Sequence, residues 1–284
     1  MAAATATTET TEKWIGFDMD ECMAQLGVLY YFLAGLPAES PDIMASVISQ
    51  FARKEKKGAT WILRPAFCEL LPFLGSEFKK GTLKGVILYS NNGSQRMVEF
   101  VGDLMEAIAG EKMVVARLSA EWPEVRKGAA LSKNIEFLQK HVSSSIGLGN
   151  LLFFDDLPDH ALSYQLAEGN YIQVAPYNNQ IDVEYLKDLF RDFTTSYTNY
   201  EKYKLIERAE RAEARDKESG KLFEPMDERA SRAEKIEFRG IFMRFLGLTS
   251  GGTRRTRRRR VAGRKIGAHS RKCRRLRPSR SRTQ

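Results

Sequence analysis

The chain has 284 residues, 43% of them hydrophobic, which is enough for one larger domain or two small ones with a sizeable core. Its three cysteines, Cys22, Cys68 and Cys273, form no CxxC pair, which argues against a disulfide framework and favours a reducing compartment. The N-terminal segment lacks the apolar core of a secretory signal, and the longest apolar stretch, 26–36, is shorter than the about 20 residues that span a bilayer. We therefore expect a soluble, intracellular protein with no membrane partner.

The net charge of +9 is distributed unevenly along the chain. Residues 249–284 hold 15 of the 45 Lys and Arg residues and none of the 36 Asp and Glu residues, so residues 1–248 hold 30 basic and 36 acidic side chains. A basic segment with so few apolar residues is expected to be disordered. Its composition suits a nuclear-import address, an arm that binds nucleic acid, or both.

The first half of the chain alternates an apolar strand with helical patterns. After residues 1–12, which we expect to be disordered, the segment WIGF predicts a buried strand that ends at Asp18. Apolar residues at helical spacing predict one helix over 41–51 and a second over 64–74. Pro72 should kink or end the second helix, because proline removes a backbone hydrogen bond.

Four more strands and three more helices follow. KGVILY, MVVARL, NLLFFDD and NYIQVAP predict the strands. Apolar periodicity predicts helices over 95–109, 131–142 and 186–193, and Gly110 should stop the first of these. Strands that alternate with helices predict an α/β fold, and continuous apolar strands indicate a parallel sheet that is buried on both faces.

We therefore expect a three-layer, Rossmann-like parallel sheet with helices on both faces over residues 13–195. Residues 196–248 predict a charged helical extension, in which Glu207–Arg211 and Glu213–Lys217 have the spacing of stabilising ion pairs. The charge-rich helix predicted over 201–221 has too little apolar surface to form a core. We expect residues 249–284 to form a disordered Arg-rich tail.

Polar side chains follow three of the predicted strands. Asp18 and Asp20 follow the first, Ser90 follows the second, and Asp155 and Asp156 end the fourth. The carboxyl ends of parallel strands line one crevice, which is the usual ligand site of such a sheet. Four carboxylates there would repel one another unless a hard cation such as Mg²⁺ binds, and without a His cluster or paired Cys zinc fits poorly. The residues therefore predict metal-assisted phosphoryl chemistry.

In this order the segments resemble the motifs of the haloacid dehalogenase superfamily. FDMDEC resembles the first motif and LYSNNGS the second, LSKNIEFL offers the third-motif lysine, and LLFFDDLPDH resembles the fourth. An Arg-Pro pair before a helix and a Pro after the DD are similar to the branch of carboxy-terminal-domain phosphatases. Cys22 stands where that branch has Thr, and Lys127 is an alternative to Lys133 as the third-motif lysine.

The resemblance implies a phosphatase with a small cap or none and with Mg²⁺ as its cofactor. Asp18 would attack phosphorus to form an aspartyl-phosphate, and Asp20 would act first as general acid and then as general base. Phosphate binding would involve Ser90, Asn91 and Lys133. The metal ligands would be Asp18, Asp155, Asp156 and the backbone carbonyl of Asp20.

Other interpretations stay open at this point. An isolated DxD is often a turn, and Asp155–Asp156 before Pro158 is also typical of a helix cap. The chain could be a non-catalytic scaffold with a nucleic-acid-binding tail, a glycosyltransferase whose DxD binds metal, or a phosphatase of small molecules or nucleic-acid ends. Between Asp20 and Ser90 there is room for only a few helices. A mostly open crevice favours a phosphorylated protein as the substrate.

Overall fold

The computed structural model contains a five-stranded sheet in which all neighbouring strands are parallel. It describes residues 12–34, 41–56, 62–122, 133–158, 161–177, 183–192, 199–219 and 228–248. The strands are β1 (Trp14–Phe17), β2 (Gly85–Tyr89), β3 (Val114–Leu118), β4 (Leu151–Asp155) and β5 (Tyr171–Gln173). Their order across the sheet is β3-β2-β1-β4-β5, which confirms the predicted α/β fold with a parallel sheet.

Nine helices accompany the sheet in the described part of the chain. They are α1 (Gly27–Ala34), α2 (Pro41–Lys56), α3 (Pro65–Lys79), α4 (Gln95–Ala109), α5 (Ile135–His141), α6 (Ala161–Gln165), α7 (Val183–Asp192), α8 (Asn199–Glu218) and α9 (Glu228–Phe245). Local signals fix the ends of α4: the Ser94 side chain accepts a hydrogen bond from the Met97 amide, and Gly110 ends the helix at a φ of 79°. Within the described ranges, no helix is long and apolar enough to cross a membrane.

Side chains of the strands alternate between two hydrophobic clusters, one on each face of the sheet. On β1, Ile15 and Phe17 lie in the larger cluster and Trp14 lies in the smaller one. The larger cluster also receives side chains from α1, α2, α3, α4, α7, α8 and α9, whereas α5 and α6 contribute to the smaller one. Helices therefore cover both faces of the sheet, as the sequence predicts.

The sheet register brings the three polar strand ends side by side. Strand β1 lies between β2 and β4, and Phe17 is level with Leu88 on one side and Phe154 on the other. Asp18 is therefore level with Asp155 across the sheet, and Ser90 follows β2 at the same edge. These residues therefore lie at the carboxyl ends of the strands, where open parallel sheets usually bind their ligands.

Two local features differ from the sequence-based expectation. Helix α3 runs through Pro72 to Lys79, so Pro72 does not end it. Pro72 is exposed while Leu71 and Leu74 on either side are buried in the core, so packing holds the helix together despite one lost hydrogen bond. Helix α1 was not predicted, because its sequence is apolar almost throughout and shows no 3.6-residue period.

The charged C-terminal helices belong to the same compact unit as the sheet. The described residues from 12 to 248 all belong to that unit. Helix α8 buries Leu205 and Ala209 in the larger cluster, and α9 buries Phe238 and Phe242 there. Although the apolar surface of this extension is small, it completes the core of the sheet domain. The two predicted ion pairs of α8 are present.

Several predictions fall on residues outside the described ranges. These include the tail, residues 249–284, and most of the N-terminal segment expected to be disordered. Lys127 and residues 131 and 132 of the predicted helix over 131–142 also lie outside them, whereas Lys133 and Asn134 are described and are not helical. The described helix α5 begins at Ile135, with the Asn134 side chain accepting a hydrogen bond from the Phe137 amide.

Candidate active site

The site is built on the carboxyl ends of the two central strands β1 and β4. Asp18 follows β1 directly and is buried, and its backbone amide donates a hydrogen bond of 2.8 Å to the Phe154 carbonyl. Asp155 is the last residue of β4 and is fully buried, and Asp156 comes next. Carboxylate oxygens of Asp18, Asp155 and Asp156 all lie within 4.8 Å of one another. Adjacent parallel strands thus bring three acids together that are far apart in sequence.

Lys133 lies between two of these acids. Its ammonium nitrogen Nζ is 2.6 Å from Asp18 Oδ1 and 2.5 Å from Asp155 Oδ2, and its side chain is 1% exposed. Burial alone would lower the pKa of Lys133, but the charges of Asp18 and Asp155 raise it above its ordinary value. Lys133 therefore carries its proton. The remaining oxygen of Asp155, Oδ1, accepts a hydrogen bond of 2.9 Å from the Leu157 amide.

A glycine on β1 makes room for the wall behind Lys133. The Phe153 ring lies 5.6 Å from Lys133 Nζ and packs over Gly16. A Cβ atom at Gly16 would come within 2.3 Å of the ring, so no larger residue fits without displacing Phe153. Both the cation–aromatic contact and the hydrophobic wall keep water away from the ammonium group.

The charge of the cluster is unbalanced. Three carboxylates and one ammonium group carry a net charge of −2 when all are ionised. Burial raises the pKa of Asp18, with Lys133 opposing the rise and Asp155 adding to it. Burial and then the charge of Asp155 raise the pKa of Asp156. An all-oxygen donor set with two excess negative charges fits a hard divalent cation, and the residues present therefore suit Mg²⁺.

Asp20 lies beside this cluster, in the turn after β1. Its carboxylate is not among the three grouped oxygens, and whether its backbone carbonyl binds metal stays a prediction. Burial, followed by the charges of Glu21 and Asp156, raises the pKa of Asp20 to about 6, whereas a hydrogen bond from the Asn92 side chain lowers it. A carboxyl group with such a pKa can give up and regain a proton near neutral pH, which suits general acid–base work.

Ser90 and the loop after β2 form the opposite wall of the crevice. Ser90 is fully buried, and its Oγ accepts a hydrogen bond of 3.1 Å from the Asn92 amide. Asn92 Oδ1 in turn accepts one of 2.9 Å from the Ser94 amide, at the start of α4. Asn91 Oδ1 is buried and has no hydrogen-bond partner among the described residues. The loop is therefore an ordered element that contacts Asp20 through Asn92.

Cys22 lies in the core close to Asp18, Asp155 and Lys133. It is fully buried, and burial raises the pKa of its thiol well above the ordinary value. The thiol is thus neutral and fills space, as expected for a small buried substitute. Its backbone carbonyl accepts a hydrogen bond from Arg64.

The structure brings most of the predicted site residues together and adds two. Asp18, Lys133, Asp155 and Asp156 form one buried cluster, with Asp20, Ser90 and Asn91 in the turns and loop that flank it. Asn92 and Arg64 were not predicted to act at the site. Asn92 lies in a turn-prone NNG sequence, and only its hydrogen bond to Asp20 in the structure sets it apart. The only sequence signal for Arg64 is that it belongs to an Arg-Pro pair.

Comparisons of the chain with models of known protein families, with curated proteins and with solved structures give no significant match. The likeness to haloacid dehalogenases is therefore one of motifs, and the case for a function depends on the geometry of the site.

Proposed function

We propose that this protein is a Mg²⁺-dependent phosphatase that hydrolyses phosphate monoesters through an aspartyl-phosphate on Asp18. The observation that carries the proposal is the buried cluster in which Lys133 bridges Asp18 and Asp155 and a single ammonium group faces three carboxyl groups. Burying such a cluster is costly for a protein that does not use it. A phosphoryl group and a divalent cation are the partners that its charges and oxygens fit.

In the first step, a carboxylate oxygen of Asp18 forms a bond to phosphorus as the bond to the leaving oxygen breaks. Asp20 donates its proton to that leaving oxygen, which departs as an alcohol. In the second step, Asp20 takes a proton from water, whose oxygen attacks phosphorus and releases inorganic phosphate and the free Asp18 carboxylate. The pKa of about 6 for Asp20 supports both of its roles.

The remaining residues stabilise charge. The ammonium group of Lys133 and the hydroxyl of Ser90 would donate hydrogen bonds to phosphoryl oxygens, and the amide nitrogen of Asn91 is a further donor. Asp18, Asp155 and Asp156 would hold Mg²⁺, which when bound neutralises phosphoryl charge. The hydrogen bond from Asn92 would hold Asp20 in position for the leaving group.

A phosphorylated protein is the substrate class that we favour. The three helices between β1 and β2 contact other helices of the same compact unit: α1 packs on α7 and α8, whereas α2 and α3 pack on α4. Among the described residues these helices therefore build the domain itself, which supports an open crevice. A phosphoserine or phosphothreonine peptide should be hydrolysed faster than a nucleotide or an end-phosphorylated oligonucleotide when all are tested at equal concentration. A preference for either of the last two would favour the alternative substrate classes.

The metal requirement tests the proposed function. With para-nitrophenyl phosphate as substrate, EDTA should abolish release of nitrophenol and added Mg²⁺ should restore it. Asp156→Asn should raise the Mg²⁺ concentration needed for half-maximal rate by about tenfold or more, since losing even a residue that only hydrogen-bonds a metal ligand typically costs about tenfold in metal affinity and Asp156 is itself a proposed ligand. Glu111→Gln serves as the control, because Glu111 is a partly exposed acid before the amino end of β3 and not at the carboxyl ends of the strands, and it should leave this concentration unchanged. Full activity in EDTA would refute the site assignment.

The role of Asp20 is tested by changing the leaving group. Asp20→Asn cannot donate a proton, so it should slow hydrolysis of phenyl phosphate by about a hundredfold or more. With 2,4-dinitrophenyl phosphate, whose leaving group needs no proton, the rate at which the intermediate forms should fall much less. Burst kinetics with the two esters separate this step from breakdown of the intermediate. An equal loss of burst rate for both esters would argue against the acid role.

The Arg-rich segment 249–284 suggests a second, separate property. We predict that the whole chain binds DNA or RNA with little sequence preference, through phosphate contacts. The segment has 15 Lys and Arg residues and no aromatic residue, so stacking on bases should contribute little and affinity should fall steeply with salt. Deleting residues 249–284 should abolish the binding and leave hydrolysis of para-nitrophenyl phosphate unchanged. Tight binding by the truncated protein in a fluorescence-anisotropy titration would contradict this prediction.

A further inference from the structure

A buried arginine links the C-terminal helix α9 to the turn that carries Asp20. Arg64 precedes α3 and is 1% exposed, and its guanidinium group lies among backbone carbonyls rather than in solvent. Two aromatic rings lie near the guanidinium group: its carbon is 5.3 Å from the centre of the Tyr177 ring and 6.0 Å from that of the Phe67 ring. A buried arginine is rare, and its donors must be satisfied for it to be tolerated.

Two of its hydrogen bonds reach the turn after β1. Arg64 Nε donates to the Cys22 carbonyl at 2.7 Å, and Nη2 donates to the Glu21 carbonyl at 3.1 Å. Glu21 has a φ of 59°, a conformation that non-glycine residues rarely adopt and that its surroundings must therefore enforce. Because Glu21 follows Asp20 directly, this conformation helps to fix the path of the turn that carries Asp20.

The same guanidinium group reaches the segment after β5. Nη2 also donates to the Ala175 carbonyl, and the Tyr177 amide donates to the Glu21 carbonyl. The Glu21 carbonyl thus accepts hydrogen bonds from both Arg64 and Tyr177. Two loops at the crevice are therefore joined through one cation.

The counter-ion of Arg64 is Glu234, which lies on helix α9, distant from Arg64 in sequence. Glu234 Oε1 on α9 lies 2.6 Å from Arg64 Nη1, and the Glu234 side chain is 19% exposed. Helix α9 is held in place by the Phe238 ring, which stacks on Phe67 at 4.5 Å, and by Phe242, which contacts Phe154 at 5.2 Å. The other carboxylate oxygen of Glu234, Oε2, is buried and has no hydrogen-bond partner among the described residues, so Arg64 is the contact that compensates this carboxylate.

We infer that Glu234 is a positioning residue for Asp20 and acts through Arg64. Its carboxylate compensates the buried guanidinium charge, which lets Arg64 stay among the carbonyls and hold Glu21 in its unusual conformation. The charged C-terminal extension therefore contributes to the order of the crevice as well as to the core. The catalytic meaning of this role depends on the proposed phosphatase function, but the structural link does not.

Hydrogen exchange measured by mass spectrometry tests the link without any need for activity. The amides of Met23 and Ala24 donate to the Met19 carbonyl within the turn, at 3.1 and 2.8 Å. In the full-length Glu234→Ala protein these amides should exchange about tenfold faster than in the unmodified protein. Glu234→Gln, which keeps the size of the side chain, should have a smaller effect in the same direction.

Glu69→Ala is the matched control, because Glu69 on α3 forms an ion pair with Lys235 on α9 and does not touch Arg64. It removes a contact between the same two helices and should leave exchange in the turn unchanged. Equal exchange in Glu234→Ala and Glu69→Ala would overturn the inference.

Kinetics then separate the positioning role from the proposed function. If the unmodified protein hydrolyses aryl phosphates, Glu234→Ala should slow phenyl phosphate by about tenfold more than 2,4-dinitrophenyl phosphate, since only the first needs a well-placed proton donor. Glu69→Ala should slow both equally or not at all. An equal loss for both esters in Glu234→Ala would refute the positioning role. If the unmodified protein hydrolyses no phosphate ester, the proposed function fails while the exchange result still decides the link.

Discussion

Asp18→Asn should lower the turnover of para-nitrophenyl phosphate by about a thousandfold or more, because an amide is a poor nucleophile toward phosphorus. The fold should be preserved, since the asparagine oxygen can still accept the hydrogen bond that Lys133 donates at 2.6 Å. We expect the free energy of unfolding without metal to change by about 1 kcal/mol or less, measured by urea denaturation.

Residual activity in this variant needs a strict control. A preparation of the double variant Asp18→Asn, Asp155→Asn measures contaminating phosphatases, because it lacks both the nucleophile and a metal ligand. Turnover by Asp18→Asn clearly above that background, at more than a few per cent of the unmodified rate, would remove Asp18 from the role of nucleophile.

Lys133→Met should have the second large effect, on stability and on activity together. Methionine fills similar space but leaves the carboxylates of Asp18 and Asp155 buried with no cation between them. Breaking a buried ion pair in this way costs about 3 kcal/mol or more, so the midpoint of urea unfolding should fall markedly in metal-free buffer. Turnover should fall by about a hundredfold or more, because the ammonium group would also stabilise the phosphoryl oxygens.

Lys79→Met is the matched control for this change. Lys79 forms an ion pair of 3.0 Å with Glu111, but its side chain is 74% exposed. Exposed pairs contribute little, so this variant should match the unmodified protein in stability and turnover. A Lys133→Met protein that is as stable as the Lys79→Met protein would show that Lys133 does not neutralise the acidic cluster.

The strand ends could be predicted from the sequence because the central strands have a simple pattern. β1, β2 and the first four residues of β4 are apolar runs buried on both faces; Asp18 and Ser90 follow β1 and β2 directly, and Asp155 ends β4. Parallel strands then require Asp18, Ser90 and Asp155 to meet at one edge of the sheet. The role of Lys133 was less evident, since a single lysine in the helix predicted over 131–142 has no local signal of burial, and it followed only from the order of the motifs.

The parts that were missed depend on contacts between distant segments. Arg64 and Glu234 are separated by 170 residues, and nothing in either local sequence indicates that they pair. Helix α9 interleaves its apolar residues with many charged ones, and nothing in its local sequence indicates that Phe238 and Phe242 pack on the aromatic residues of the sheet face. In each case tertiary packing supplies the information that local periodicity lacks.

Trapping the covalent intermediate tests the central claim most directly. Asp20→Asn protein, in which breakdown of the intermediate should be slow, is mixed with 2,4-dinitrophenyl phosphate and Mg²⁺, quenched, and reduced with borohydride, which converts an aspartyl-phosphate into homoserine. Peptide mass spectrometry should find homoserine at position 18, and only when both substrate and Mg²⁺ are present. Release of dinitrophenol by the same sample without modification of residue 18, or with modification of another aspartate, would contradict the account.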